Sequence, residues 1–151
     1  MLRVVLDTNV LVSAIISDGK PRELLRRGIS KQFSIVTSEL ILKELGLVLR
    51  RPKFKTAEDE VNRIIIALMQ TAEIVNVTSK LKVVEEDPKD NMVIETAYDG
   101  GAEIIVTGDR HLLALKEFKG IKITTVEQIL ALLEEKRLKR DQKEKRELTR
   151  S

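Results

Sequence analysis

Two aspartates stand where a short apolar run gives way to polar residues. Asp7 directly follows residues 3–6 (Arg-Val-Val-Leu), and Asp109 follows residues 103–106 across Thr107-Gly108. Two further acids lie on segments with helical patterning: Glu44 within residues 39–49, and Asp90 just after Asp87-Pro88-Lys89. Each has an ordinary reading by itself. Asp90 and Asp109 suit the first turn or cap of a helix, where the dipole favours acids. Glu44 could be a surface residue paired with Arg50 or Lys43. Gathered together without a cation, four carboxylates repel one another. A divalent ion relieves that repulsion, and all-oxygen ligation suits Mg²⁺ or Mn²⁺ rather than zinc. Asp87 is the rival to Asp90, but its place before Pro88 makes it an extended, pre-helical residue and ranks it second.

The elements that must position these acids can be read from the pattern. Residues 3–6 carry valines and no turn former, so they read as a buried strand. Residues 10–16 read as a helix. Pro21 suits the first turn of a second helix, which Gly28 would end. Residues 33–36 form strand two, and Ser38 caps a helix over 39–49. Pro52 falls just beyond that helix. Thr56 is the cap expected for the next helix, which runs to about residue 72, with Glu58, Asp59 and Glu60 in its first turn. Residues 74–77 form strand three. A helix opens at 87–90 and ends at Gly100-Gly101. Residues 103–106 form strand four, Asp109 opens a helix to about 116, and 122–124 form strand five. Thr125 caps a last helix that enters a charged tail.

Alternating strands and helices predict an α/β protein, a three-layer sandwich with a central parallel sheet of about five strands flanked by helices. In such sheets ligands bind outside the carboxyl ends of the strands. Asp7 and Asp109 therefore belong at one edge. The 151 residues make one domain the default, with 1–133 as the folded unit and 134–151 as a charged helix end or tail.

Composition removes several chemistries. There is no cysteine, hence no disulfide or thiolate site. His111 is the single histidine, so a histidine pair for acid–base RNA cleavage and an H-E-x-x-H zinc site are both excluded. No apolar run is long enough to span a membrane. The N-terminus has no signal-peptide pattern, and the expected location is cytoplasmic. The formal charge is +3. Residues 134–151 hold eight basic and five acidic side chains, so the whole excess lies in the tail. The overall charge says little about what the globular part binds.

Asp7-Thr8-Asn9-Val10-Leu11 resembles the opening motif of PIN-domain nucleases. Residues 38–45 (Ser-Glu-Leu-Ile-Leu-Lys-Glu-Leu) and 48–54 (Val-Leu-Arg-Arg-Pro-Lys-Phe) resemble the second motif of the PIN branch of toxin components of toxin–antitoxin systems. Asp87-Pro88-Lys89-Asp90-Asn91 and the stretch from Gly100 to Asp109 resemble the third and fourth. The likeness covers about residues 2–130 in order. It implies a Mg²⁺- or Mn²⁺-dependent endoribonuclease that hydrolyses RNA phosphodiester bonds by metal-activated water. Its catalytic and metal-holding acids would be Asp7, Glu44, Asp90 and Asp109, with Thr8, Asn9 and Thr107 in support. It also implies a PIN-like fold, an antitoxin partner and a homodimer. Some relatives carry another acid two residues after the fourth; here that residue is His111, which reads as packing or surface.

Arg50, Arg51, Lys53 and Lys55 flank Phe54. This cluster is the candidate for contacts to single-stranded RNA, with Phe54 the one aromatic placed to stack. Lys20, Arg22, Arg26 and Arg27 form a second basic group. Two other functions compete for the same pattern. A phosphatase of the haloacid dehalogenase type needs an aspartate where Asn9 stands. An inactive PIN-like module for RNA binding or assembly is the alternative from another class, and such members usually lose acids that this chain retains.

Overall fold

In the computed structural model the described residues are 1–81 and 88–150, with residues 88–90 described in backbone only. The element order is β1 (Arg3–Leu6), α1 (Thr8–Ile16), α2 (Lys20–Ile29), β2 (Ser34–Ser38), α3 (Glu39–Leu49), a 3₁₀ turn (Pro52–Phe54), α4 (Glu58–Thr71), β3 (Glu73–Val75), α5 (Pro88–Asp99), β4 (Ile104–Val106), α6 (Arg110–Leu115), β5 (Glu117–Phe118), β6 (Ile121–Thr124) and α7 (Val126–Arg150).

The strands lie side by side in the order β3-β2-β1-β4-β6-β5. The first five are parallel, and only β5 runs antiparallel, against β6. This is the α/β architecture the alternation predicts, with one addition. Glu117–Phe118 forms a two-residue edge strand that hydrophobic periodicity could not signal, because two residues carry no period.

β1 is central and fully apolar: Val4, Val5 and Leu6 are all buried. A parallel strand covered by helices on both faces is expected to read as a continuous apolar run. From β1 the chain builds outward to β2 and β3, then crosses back to place β4 on the other side of β1. The order of strands therefore reverses between β1 and β4. In open α/β sheets that switch point opens a crevice at the carboxyl ends of the two strands.

Several expected boundaries moved by one or two residues; β2, for one, is Ser34–Ser38 rather than 33–36, and three differences have a local cause. Gly28 does not end α2; it lies inside the helix and is buried. A Cβ there would stand 2.6 Å from Ile35 Cδ1 and 2.9 Å from Phe33 Cζ. The glycine allows α2 to approach β2, and the left-handed turn after the helix falls on Lys31 (φ 66°). Thr56 does not cap α4. The cap is Ala57, and the Thr56 hydroxyl donates to the Phe54 carbonyl instead. β3 begins and ends earlier than its hydrophobic pattern suggests, because it pairs Glu73 with Val36 and Val75 with Ser38.

Other caps form where expected. The Ser38 hydroxyl accepts from the Ile41 amide at 3.4 Å and shares a 2.9 Å hydrogen bond with Thr96, tying the start of α3 to α5. Thr125 and Gln128 exchange side-chain and backbone bonds of 2.9 and 3.1 Å, a capping box that starts α7. No helix among the described residues is long and apolar enough to cross a membrane.

Candidate active site

Asp7 leaves β1 at the switch point and caps α1, its Oδ1 accepting from the Thr8 amide at 2.7 Å. It is only 7% exposed. Its Oδ2 accepts from the Thr107 hydroxyl at 2.7 Å and from the Asn9 side-chain amide at 3.3 Å. No ion pair forms at this carboxylate among the described residues. Burial raises its pKa to about 6, against the lowering effect of the Thr107 and Thr8 hydrogen bonds. The negative fields of Glu44 and Asp109 raise it further.

The loop after β4 faces Asp7 across the switch. Thr107 is buried, and its hydroxyl both donates to Asp7 and accepts from the Asp109 amide at 3.0 Å. Asp109 caps α6, accepting from the His111 and Leu112 amides at 2.7 and 3.4 Å. Asn9 closes the arrangement by accepting from the Gly108 amide at 3.2 Å while donating to Asp7. From α3, the Glu44 carboxylate accepts from the Thr8 hydroxyl at 3.1 Å.

Asp7, Glu44 and Asp109 line one cavity of about 470 Å³ with Thr8 and Asn9. The sequence places all of them together, and so does the fold. Arg51 and Phe54 line it too. Lys53 sits 5.0 Å over the Phe54 ring, while Lys55 takes a left-handed backbone after the 3₁₀ turn. Arg50 turns away, gripping Glu58 at 2.9 Å and Asn62 at 3.1 Å on α4. Arg22 of the second basic group donates to the Ala14 and Ile15 carbonyls at the end of α1. Ser13 is a lining residue that the motifs did not single out. Its signal was helical spacing: it stands four residues after Asn9, on the same face of α1.

Asp90 falls in the first turn of α5, as the motif implies. Its side chain, and Asp87 altogether, lie outside the described residues. Among the described residues no three of Asp, Glu and His stand close enough to ligate one ion. The three described acids share the cavity, and their all-oxygen donor set fits a hard divalent cation.

A family model described as the PIN domain matches residues 3–111. The chain belongs to the PIN-domain family. An uncharacterized protein of Methanocaldococcus jannaschii is 35% identical over 130 residues, covering 83% of each chain. Among solved structures, one from Pyrobaculum aerophilum superposes with a TM-score of 0.62 at 19% identity, covering 87% of this chain and 89% of that one. VapBC2 from Rickettsia felis, bound to a DNA fragment from its promoter, gives 0.58 at 16%, covering 82% and 98%. VapC20 of Mycobacterium tuberculosis, a toxin that cleaves the sarcin–ricin loop, gives 0.55 at 18%, covering 79% and 98%. At these identities the likeness is one of fold, and it matches the parallel sheet flanked by helices. The PIN motifs read in the sequence thus belong to a chain with the PIN architecture.

Proposed function

We propose that this PIN protein is a Mg²⁺- or Mn²⁺-dependent endoribonuclease with Asp7, Glu44, Asp90 and Asp109 as its catalytic acids. The observation that carries this reading is Asp7: a nearly buried carboxylate at the switch point, held by three donors, with no cation against it among the described residues. Leaving such a group charged is costly, and sites that tolerate the cost are commonly functional. Its membership of a family of nucleases and its likeness in fold to VapC20 support the same assignment.

In this reading Asp7, Glu44, Asp109 and Asp90 would hold the ion. A divalent cation bound there supplies Lewis acidity and makes water a nucleophile near neutral pH. The chain's own residues do the rest. Thr107 and Asn9 fix Asp7, and Thr8 orients Glu44. Arg51 offers positive charge to a phosphate at the rim, and Phe54 offers a flat apolar wall to a base. Lys53 and Lys55 add charge outside the cavity. Residues 1–133 form the nuclease unit, with the remainder of α7 as an appendage. The likeness in fold to VapBC2 supports extending the reading to a toxin with an antitoxin partner and a homodimeric assembly.

The test is cleavage of single-stranded RNA with Mn²⁺, with EDTA, and with Asp7→Asn. Cleavage should require the ion and vanish in the variant, whose circular dichroism stays native. EDTA-resistant cleavage, or a wild-type rate in the variant, would overturn the assignment.

A further inference from the structure

α7 runs from the carboxyl end of β6 to the opposite edge of the sheet. There Leu133, Lys136, Lys139 and Arg140 meet Met1, Leu2, Lys31 and Gln32 around a groove of about 640 Å³. Its core-facing residues, Val126, Ile129 and Leu133, end at this point. Residues 134–150 continue the helix in solvent, and every position from 135 to 150 is exposed. Such a segment adds nothing to the buried core, and its charged side chains face solvent.

Its charges are not evenly spread around the axis. At about 100° per residue, Lys136, Lys139, Arg140, Lys143, Arg146 and Arg150 fall within a sector of about 120°. One acid, Glu147, shares that sector. The spacing of three, four and seven residues is that of a single helix face. Arg137 points elsewhere, and it takes up Glu134 and Asp141 at 2.5 and 3.2 Å. Lys139 pairs with Glu135 at 3.1 Å. Among the described residues Lys136, Arg140, Lys143 and Arg146 make no ion pair. Two acids of the segment thus go to Arg137 and one to Lys139, and the stripe keeps a net positive charge.

A coiled-coil partner is not what this face fits, since Leu138 and Leu148 lie off it and off each other's line. Nor does residues 126–150 contain an aromatic residue on which an unpaired base could stack. From Lys136 to Arg150 the stripe is about 21 Å long, enough to meet several successive phosphates. Its first cation stands about 15 Å of helix beyond Val126, which starts α7 at the edge bearing the acidic cavity. A ligand held in that cavity would need to be long to reach it.

We propose that the projecting half of α7 is a second nucleic-acid site, which grips the sugar–phosphate backbone of a structured RNA away from the cavity. The substrate class rests on the nuclease reading; the grip itself does not. It anchors long RNA by charge, without reading bases, and leaves short RNA to the cavity alone.

The experiment measures anisotropy of a labelled RNA hairpin of about 20 base pairs and of a single-stranded octamer. The protein carries Asp7→Asn, in EDTA, so that nothing is cut. Replacing Lys136, Arg140, Lys143 and Arg146 with Gln should weaken hairpin binding at least tenfold and flatten its salt slope by roughly 3, at about 0.7–0.9 per phosphate contact. Glutamine keeps helix propensity, and circular dichroism checks it. Octamer binding should change less than twofold. The control replaces Arg137 and Lys145, on the back, and should leave the hairpin affinity within twofold. Unchanged hairpin binding in the quadruple variant overturns the proposal. So does an equal loss per charge from the back-face variant, or stripe-dependent binding to phosphatidylserine vesicles without binding to RNA. Stripe-dependent hairpin binding by a wild-type protein that never cuts single-stranded RNA with Mn²⁺ would sustain this grip and sink the nuclease reading. Cutting of single-stranded RNA together with stripe-independent hairpin binding would do the reverse.

Discussion

Thr107 donates its hydroxyl to Asp7 Oδ2 at 2.7 Å, joining the ends of β1 and β4 across 100 positions of sequence. The oxygen of the Thr107 hydroxyl in turn accepts from the Asp109 amide, so one small side chain orients two of the acids. Valine has nearly the same shape and no hydroxyl. Thr107→Val should therefore destabilise the protein by about 2 kcal/mol at pH 8, the usual range for losing a hydrogen bond to a buried charge. Urea titration at pH 8 and pH 5 checks this, and the loss should shrink at pH 5, where Asp7 is protonated. Equal losses at both pH values would mean that the hydroxyl serves packing rather than the charge.

The position of Asp7 also sets a pH dependence in the absence of metal. Its folded pKa, about 6, lies above its ordinary 3.8 because burial penalises the charge. The folded state then binds the proton more tightly than the unfolded chain. Its stabilising effect is present below about pH 4 and lost as pH rises through 6, an order of about 3 kcal/mol for two pKa units. In EDTA, melting should fall between pH 4 and pH 7. Asp7→Asn should remove most of that slope and melt higher than wild type at pH 8. An amide can take the Thr8 donor on its oxygen and donate to Thr107 with its nitrogen.

A divalent ion should reverse the sign of this effect, since it binds the charged acids. At a hundredfold excess over Kd, the native state gains about 2.7 kcal/mol. For a chain of this size that is roughly 5–10 °C in Tm. Thermal melts with Mn²⁺ at pH 8 should show the rise. Adding EDTA, replacing Asp7 with Asn, or lowering the pH below 5 should each abolish it. A shift that survives Asp7→Asn would locate the ion elsewhere.

Gly28 shows where the sequence was legible and where it was not. The strand-end acids, the Ser38 and Thr125 caps and the parallel alternation follow from local chemistry, and they appear in the structure. A glycine near the end of an apolar pattern reads locally as a helix stop. Its role here is long-range: it lets Phe33 and Ile35 pack against α2. Likewise, the motif order located Glu44, but nothing local shows that the Thr8 hydroxyl would meet it. Gly28→Ala should thus cost about 1–3 kcal/mol by overpacking. Lys31→Gly should stabilise by about 1 kcal/mol, because Lys31 holds the left-handed conformation. Chemical denaturation of both variants tests the pair; opposite signs are expected.

Arg50 and Arg51 are adjacent in sequence and divergent in space. Sequence spacing groups them with Lys53 and Lys55 as one basic cluster, because nothing local reveals which cation has a partner. Arg50 is tied to Glu58 and Asn62, whereas Arg51 lines the acidic cavity beside Phe54. Arg50→Ala should leave RNA binding unchanged and cost no more than about 1 kcal/mol, as exposed ion pairs do. Arg51→Ala should weaken binding of a single-stranded octamer severalfold and reduce its salt slope by about 0.7, the signature of one lost phosphate contact. Phe54→Ala should weaken the same binding by about 1–3 kcal/mol without touching the salt slope, since stacking releases no counterion. The measurements belong on an Asp7→Asn background in EDTA, with the octamer too short to engage the end of α7. Equal effects from Arg50→Ala and Arg51→Ala would show that the octamer senses net charge alone, and that the cavity wall formed by Arg51 and Phe54 takes no part in holding it.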